Sequence, residues 1–270
     1  MNKIISKINS TKDIEGVFAI AMLFVALILL SIIPLVTEAN TDIIVEALPD
    51  NKVFNDFVVG PGKIEMELAP GEKGTFDLMI SNRLGTNKTF SISEEDFSGS
   101  DDPDQTVVLL GNDKGPYSLK DYVKLGATSI DIEHGTRIRV PISVTVPKNA
   151  EPGGLYGSVI VGVTSKNSGV DNVSGVVSSN PVITRIGTLV FVRVKGEVKE
   201  DGKLAGFKLA GDKKIVGSTS DLRFNIIFQN QGNVHLNPKG TIIVKNLIGT
   251  IVGTIDVEPW FAMPKSLRFR

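Results

Sequence analysis

The chain has 270 residues, with 29 Lys plus Arg against 30 Asp plus Glu, a formal net charge of -1. That balance excludes a nucleic-acid binder or a polybasic membrane-surface protein, both of which carry a basic excess. With no cysteine and two histidines, disulfide scaffolds, thiol nucleophiles, Fe–S clusters and Cys- or His-rich zinc sites drop out too.

From Gly16 to Val36 the sequence carries no charge. A helix over 16–36 is long enough to cross a bilayer core of about 30 Å. Lys3, Lys7 and Lys12 precede it, which keeps the N-terminus cytoplasmic and exports the rest of the chain. Thr37-Glu38-Ala39 offers a signal-peptidase site, yet the apolar run exceeds a usual signal-peptide core. Residues 1–39 are therefore a signal peptide or a signal-anchor helix. The exported remainder keeps 26 basic and 27 acidic residues.

After a polar lead-in (40–55), period-two patterning begins. Ile64, Met66 and Leu68 predict one strand, Phe76, Leu78 and Ile80 a second, Phe90 and Ile92 a third. An acidic, insertion-like stretch occupies 94–125, with a short strand at 107–110 and one helical turn at 118–122. Strands resume at 129–132 and 136–146, where Ile138, Val140, Ile142, Val144 and Val146 share a face. Pro141 within that run predicts an edge or bulged strand. A strand at 155–164, a Ser/Asn/Gly-rich tip at 165–180 and a strand at 182–194 complete the series. Val190, Val192 and Val194 oppose Leu189 and Phe191, so the last strand is apolar on both faces, as a central or covered strand is. Residues 56–195 thus read as one β-sandwich.

Lys195–Lys203 has the composition of a linker, with the boundary placed at 196–203. Beyond it, 204–270 predicts a strand over 222–228, a turn at 229–233 and a hairpin around Leu247-Ile248-Gly249. Leu78–Asn82 and Ile226–Asn230 both set an apolar strand before an Asn-containing turn, an echo pointing to two copies of one sandwich type. At 67 residues, 204–270 is short against the roughly 100 of an immunoglobulin-like sandwich, and reads as a truncated second copy. The fold class expected is all-β: tandem immunoglobulin-like β-sandwiches behind an N-terminal helix.

Catalytic vocabulary is thin. His134 and His235 sit beside turns in different units and read as exposed turn residues; no nucleophile elbow, Walker loop, zinc-protease helix or dinucleotide fingerprint occurs. Asp96, Asp101, Asp102 and Asp104, with Ser98 and Ser100, supply hard oxygen ligands suited to Ca²⁺. Their spacing departs from the EF-hand pattern, which favours a solvated acidic loop. Tyr117, Tyr122 and Tyr156 lie near loops and read as core or sheet-edge rings before sugar platforms. Asn87 and Asn172 head glycosylation sequons that matter only in a glycosylating host.

The run Lys63–Glu72 and the phrase Val144-Thr145-Val146-Pro147-Lys148-Asn149-Ala150-Glu151-Pro152-Gly153-Gly154-Leu155-Tyr156-Gly157 resemble the immunoglobulin-like domains of the WxL-interacting surface proteins and their membrane-anchored bacterial relatives. The resemblance covers about 55–195, and extends loosely to Asn230–Asn233 and Asn237–Gly240. It implies a signal segment, two sandwiches and a C-terminal membrane helix; the last is not found in this chain, in line with truncation. It also implies binding of peptidoglycan or other cell-wall or surface-protein ligands without catalysis. The expected function is an exported, membrane-associated, non-enzymatic adhesion or scaffold protein, sited on the outer side of the cell membrane, or secreted if the leader is cleaved and no anchor is present. Recognition falls to three loops: Asp96–Asp104, Ala150–Tyr156 and Ser165–Asn180. No cofactor is implied beyond the Ca²⁺ reading, and nucleic acid is excluded as partner. The rival reading is an accessory sandwich of a larger exported enzyme whose catalytic part lies beyond residue 270.

Overall fold

The computed structural model describes residues 43–100, 102, 105–170, 177–209 and 223–269, with backbone alone at 165–170 and 177–181. The apolar span 16–36, Asp101 and Asp104 lie outside the described residues. Among the described residues no helix is long and apolar enough to cross a membrane.

Two sheets make the first sandwich. One has the order β1 (Ile44–Ala47), β10 (Thr136–Thr145), β4 (Lys73–Arg83), β2 (Asp56–Gly60), with β8 (Val123–Leu125) also on β10. The other runs β3 (Lys63–Leu68), β12 (Val177–Val194), β11 (Gly153–Val170), β5 (Lys88–Glu95), β9 (Ser129–Ile132). All pairings are antiparallel except β3 with β12. The alternation read from the sequence places the core: Leu78 and Ile80, Ile138 to Val144, Phe90 and Ile92, Val159 to Val163 and Val190 to Val194 bury into one cluster between the sheets. Phe57 and Phe90 meet edge-on there at 5.3 Å.

Pro141 is not at an edge. β10 pairs β4 along its whole length, Pro141 opposite Asp77. On its other side β1 covers Thr136–Arg139 and β8 covers Ile142–Val144, so Pro141 falls in the gap where one neighbour hands over to the next. Its carbonyl accepts the Gly126 N–H at 2.9 Å on that side. In an extended strand a residue's N–H and C=O point the same way, so the missing N–H faces the gap and no ladder bond is lost.

β11 and β12 pair over 18 residues each, from Gly153 opposite Val194 to Val170 opposite Val177. β5 flanks only Ser158–Val163, and β3 only Leu189–Val194. Past those limits the pair continues as a bare two-stranded ribbon.

The second module holds a sheet β13 (Gly202–Leu209), β14 (Phe224–Asn230), β17 (Leu267–Phe269) and a hairpin β15 (Gly240–Lys245), β16 (Ile251–Val257). The expected hairpin turn is present, with Gly249 at φ +86°. The sequence echo has a structural counterpart. Asn82 is buried; its Oδ1 accepts from Leu84 N–H, and its Nδ2 donates to Thr86 O and Ile132 O. Asn230 repeats the device: Oδ1 accepts from Gly232 N–H, and Nδ2 donates to Val234 O and Ala262 O. One amide thus satisfies the turn it opens and ties it to a distant strand. Asn82→Ala and Asn230→Ala are each expected to cost about 2 kcal/mol or more, because the orphaned groups are dry. Asn246, whose Oδ1 accepts from Ile248 and Thr250 N–H on an exposed turn, should cost well under half of that. Urea midpoints of the three variants check the ranking.

Candidate functional site

Residues 42–270 form one compact unit, and its principal joint lies on the outer face of β12. Leu189 and Phe191 point away from the first core, and the second module covers them. Tyr156 from β11, Phe97 from β6 (Phe97–Gly99) and Met263 complete a buried cluster with Phe191, flanked by Val107, Tyr117 and Phe261. The Phe191 ring meets Phe97 at 5.4 Å, Tyr156 at 5.5 Å, Phe261 at 5.3 Å and His235 at 4.9 Å, all tilted or edge-on. That is the arrangement ring quadrupoles favour, worth about 0.5–1.5 kcal/mol a pair beyond burial.

Polar groups pin this joint. The His235 backbone N–H donates to the Tyr156 hydroxyl oxygen at 2.7 Å. Gly154 N–H donates to Asn233 O at 2.8 Å, and Asn233 Nδ2 to Pro152 O at 3.0 Å. Asn233 also holds the segment between the modules, exchanging bonds with Lys199. The charged stretch read as a linker is therefore a fastened strap. Gly153-Gly154 is required by close approach: Gly153 sits at φ +155° against Asn233, and a Cβ at Gly154 would run into the Tyr156 hydroxyl. Of the Ala150–Tyr156 loop, Pro152, Gly154 and Tyr156 bond into this joint, while Glu151 stays exposed.

The Asp96 end of the acidic stretch is also held in structure. β6 pairs with β7 (Val107–Leu109), the short strand expected there. Asp96 is fully buried, and its carboxylate accepts from the N–H groups of Gly115, Leu119 and Lys120, closing the loop onto the 3₁₀ turn Lys120–Tyr122. It is neither a solvated loop residue nor an open ligand. Asp102 is exposed, its backbone N–H donating to Ser100 Oγ. Asp101 and Asp104, the other two carboxylates of the expected Ca²⁺ set, lie outside the described residues. Among the described residues no three Asp, Glu or His side chains are placed to share a metal ion. Farther along, Arg268 donates to Gln105 O and Thr106 Oγ1, a second clasp between modules.

The histidines differ from the exposed pair expected. His134 is half-buried and accepts from Gly85 N–H while lying 3.2 Å from Asn51 O, a staple between turns. His235 has a side chain 13% exposed, with Nε2 3.7 Å from Glu65 and Nδ1 3.4 Å from the Tyr156 oxygen. Those separations exceed working proton-transfer distances, so Tyr156–His235–Glu65 is a packed joint. Burial pushes the Tyr156 hydroxyl well above its usual range. Burial likewise lowers His235, against the opposing pull of Glu65. A histidine lowered in the folded state favours folding above its unfolded pKa of about 6.5 and withdraws that support as pH falls. The urea midpoint of the wild type should therefore drop more between pH 7 and pH 5 than that of His235→Gln; equal drops would show that His235 plays no part.

A polar cleft of about 410 Å³ opens beside the joint, lined by Glu65, Glu67, Arg193, Glu200, His235 and Asn237 among others. Two ion pairs involve its lining residues, Glu65 with Lys63 at 2.8 Å and Arg193 with Glu200 at 2.6 Å. An apolar groove of about 430 Å³ runs between the two sheets of the second module. Leu204, Phe207, Ile226 and Phe228 form one wall and Ile243, Val257 and Trp260 the other. Leu204, Phe207 and Ile243 are 60%, 48% and 54% exposed. Soluble surfaces rarely leave such a strip open without a use. The sequence reading placed Ile226 and Phe228 on an alternating strand and Ile243 and Val257 in a hairpin, missed β13 with Leu204 and Phe207, and carried no sign that the space between them stays open.

No family model and no curated protein matches the chain. Among solved structures it is similar to the class 5 fimbriae chaperone CfaA, at 13% identity over 78% of this chain and 84% of that one, TM-score 0.43. It is likewise similar to the CsuC–CsuE chaperone–tip subunit pre-assembly complex of Acinetobacter baumannii pili, at 9% identity over 80% and 86%, TM-score 0.43. The E. coli chaperone DraB aligns at 14% identity over 79% and 83%, TM-score 0.36. All three TM-scores fall below 0.5, so these likenesses establish neither family nor function.

Proposed function

We propose that this chain is a non-enzymatic, exported scaffold or adhesion protein of the cell surface, of the WxL-interacting kind, held at the membrane by 16–36 or released by cleavage there. The observation that carries this reading is the clasped pair of β-modules that leaves an apolar groove facing solvent. A joint of buried rings, a fastened strap and an arginine clasp suits a protein that must hold a binding face in a fixed direction. The nearest approach to catalytic geometry, Tyr156–His235–Glu65, is loosely spaced, with His235 Nε2 3.7 Å from Glu65 and Nδ1 3.4 Å from the Tyr156 oxygen. Within the three loops expected to recognise ligands, Asp96 and Gly153–Tyr156 are engaged within the molecule, and among the described residues the groove is open. An apolar groove suits a protein partner better than a glycan, which calls for polar lining.

Co-sedimentation of the detergent-solubilised full chain tests this. Binding to insoluble sacculi that retain their surface proteins, with loss after protease stripping, is the expected result. Undiminished binding to stripped sacculi would support the wall ligand instead, and a folded chain that stays in the supernatant with both would overturn the reading.

A further inference from the structure

We infer that the tip of the β15–β16 hairpin docks into a lipid bilayer, with Leu247 and Ile248 in the hydrocarbon and Lys245 at the lipid phosphates. The inference rests on the reading that 16–36 holds the chain at a membrane, and three features of the hairpin carry it.

The side chains come first. Leu247 is 107% exposed and Ile248 86%, the highest values of any large apolar residue among the described residues. Ile251 and Val252, just past the turn, are exposed as well. These four aliphatics crowd one end of a two-stranded sheet that, among the described residues, pairs with no other strand. Single exposed apolar residues need no explanation, but a cluster at one tip does. A projecting apolar knob buries its surface in fluid hydrocarbon without needing a matching pocket.

The backbone comes second. Entry into hydrocarbon is costly for any N–H that leaves water without another acceptor. Here Ile248 and Thr250 N–H donate to Asn246 Oδ1 at 3.1 and 2.8 Å. Gly249 N–H donates to Asn246 O at 3.0 Å, and Asn246 N–H to Thr250 O at 2.9 Å. The turn satisfies these four donors itself, so the tip can leave water without orphaning them.

Charge comes third. From 240 to 255 the hairpin carries one charge, Lys245, which pairs with Ile251 at the last register position before the turn. The hairpin's only acid, Asp256, lies opposite Thr241 at the far end of the ladder. A lysine just behind an apolar tip lays its stem along apolar surface and sets its ammonium among lipid phosphates. Residues 37–42 alone join the apolar span to the folded unit, so a bilayer is the surface this tip meets at high effective concentration. A pocket on a partner protein or on a second copy would receive the same tip, and the test separates these.

The chain has no cysteine, so a single introduced one reports its own position. Full-length Ile248→Cys is labelled with the environment-sensitive fluorophore NBD and reconstituted in vesicles of phosphatidylcholine and phosphatidylglycerol. Lipids with a nitroxide on the acyl chain quench the label where it enters hydrocarbon. Lys148→Cys, exposed in the first sandwich, is the control. Expected are quenching at Ile248→Cys well above the control, loss of that excess when Leu247→Asp is added, and a partial loss with Lys245→Glu. Matching circular dichroism and matching emission from Trp260, the single tryptophan of the chain, would show that the variants fold. Quenching no greater than the control, or undiminished in either variant, would overturn the inference. A blue-shifted label that escapes the nitroxides and follows protein density would assign the tip to a second copy. One that needs added sacculi with their surface proteins would assign it to a protein partner; either overturns the inference as well. Retention of the chain in vesicles after a carbonate wash reads the 16–36 anchor separately. A retained chain with an unquenched tip therefore sinks this inference alone, and a chain that washes off sinks the anchoring reading and this inference with it.

Discussion

Replacing Tyr156 with alanine is expected to lower the unfolding free energy by about 3–5 kcal/mol and to uncouple the two β-modules. The side chain is fully buried, and its ring meets Phe97, Phe191, Tyr117 and His235 within 6.1 Å. Removing it empties the middle of the cluster, which two strands of a packed sandwich cannot close by collapsing. It also strips the His235 backbone N–H of its acceptor. Tyr156→Phe separates the two losses: the ring stays, and one dry N–H goes unsatisfied, a cost of about 1–3 kcal/mol. Urea unfolding should show a single shifted transition for the phenylalanine variant. For the alanine variant it should show two transitions, the second module melting first because its own core is the smaller.

Asp96→Ala is the other large expected loss, about 3 kcal/mol or more. Its carboxylate is the common acceptor of three backbone N–H groups, at 3.0–3.1 Å; alanine leaves those of Gly115 and Lys120 without an acceptor, and Leu119 N–H with only its longer bond to Tyr156 O at 3.2 Å. Asp96→Asn keeps one acceptor oxygen and should recover part of the loss. The loop it closes carries Leu119 into the first core and leads β6 and β7 to the second module, so the damage should spread beyond the loop. Hydrogen exchange at Gly115 and Lys120 N–H reads it directly: fast exchange in Asp96→Ala under conditions where the β4 and β10 amides stay protected. Unchanged protection at those two amides would contradict the role given to Asp96.

Much of this fold was legible because half-buried strands announce their inner face. Ile138 to Val144 and Leu78 with Ile80 alternate cleanly, and both sets lie in the first core. The two-faced strand was legible as well: Val190 and Val192 face the first core, while Phe191 needs a cover that the second module supplies. The Asn82 and Asn230 echo carried real information, since each amide repeats the same three bonds. What stayed hidden was everything fixed by residues far apart in the chain. Asp96 sits in a run of acids that reads as solvated, and only the folded positions of Gly115, Leu119 and Lys120 make it a core residue. His235 reads as a turn histidine because nothing near it in sequence reveals Phe191 and Tyr156. Pro141 signals an edge locally, and the handover from β1 to β8 that accommodates it is a property of the sheet. The groove was hidden for the same reason, since alternation marks a strand's inner face without showing whether anything covers it.

The central claim is that one buried joint makes the first sandwich and the second module a single cooperative body. It is tested most directly by unfolding the detergent-solubilised full chain in urea with two probes. Trp260 emission reports the second module alone, and far-ultraviolet circular dichroism reports the sheets of both. Coincident transitions with one midpoint are predicted for the wild type. A Trp260 transition complete at lower urea than the loss of sheet signal would contradict the claim, leaving the two modules as independently folding neighbours.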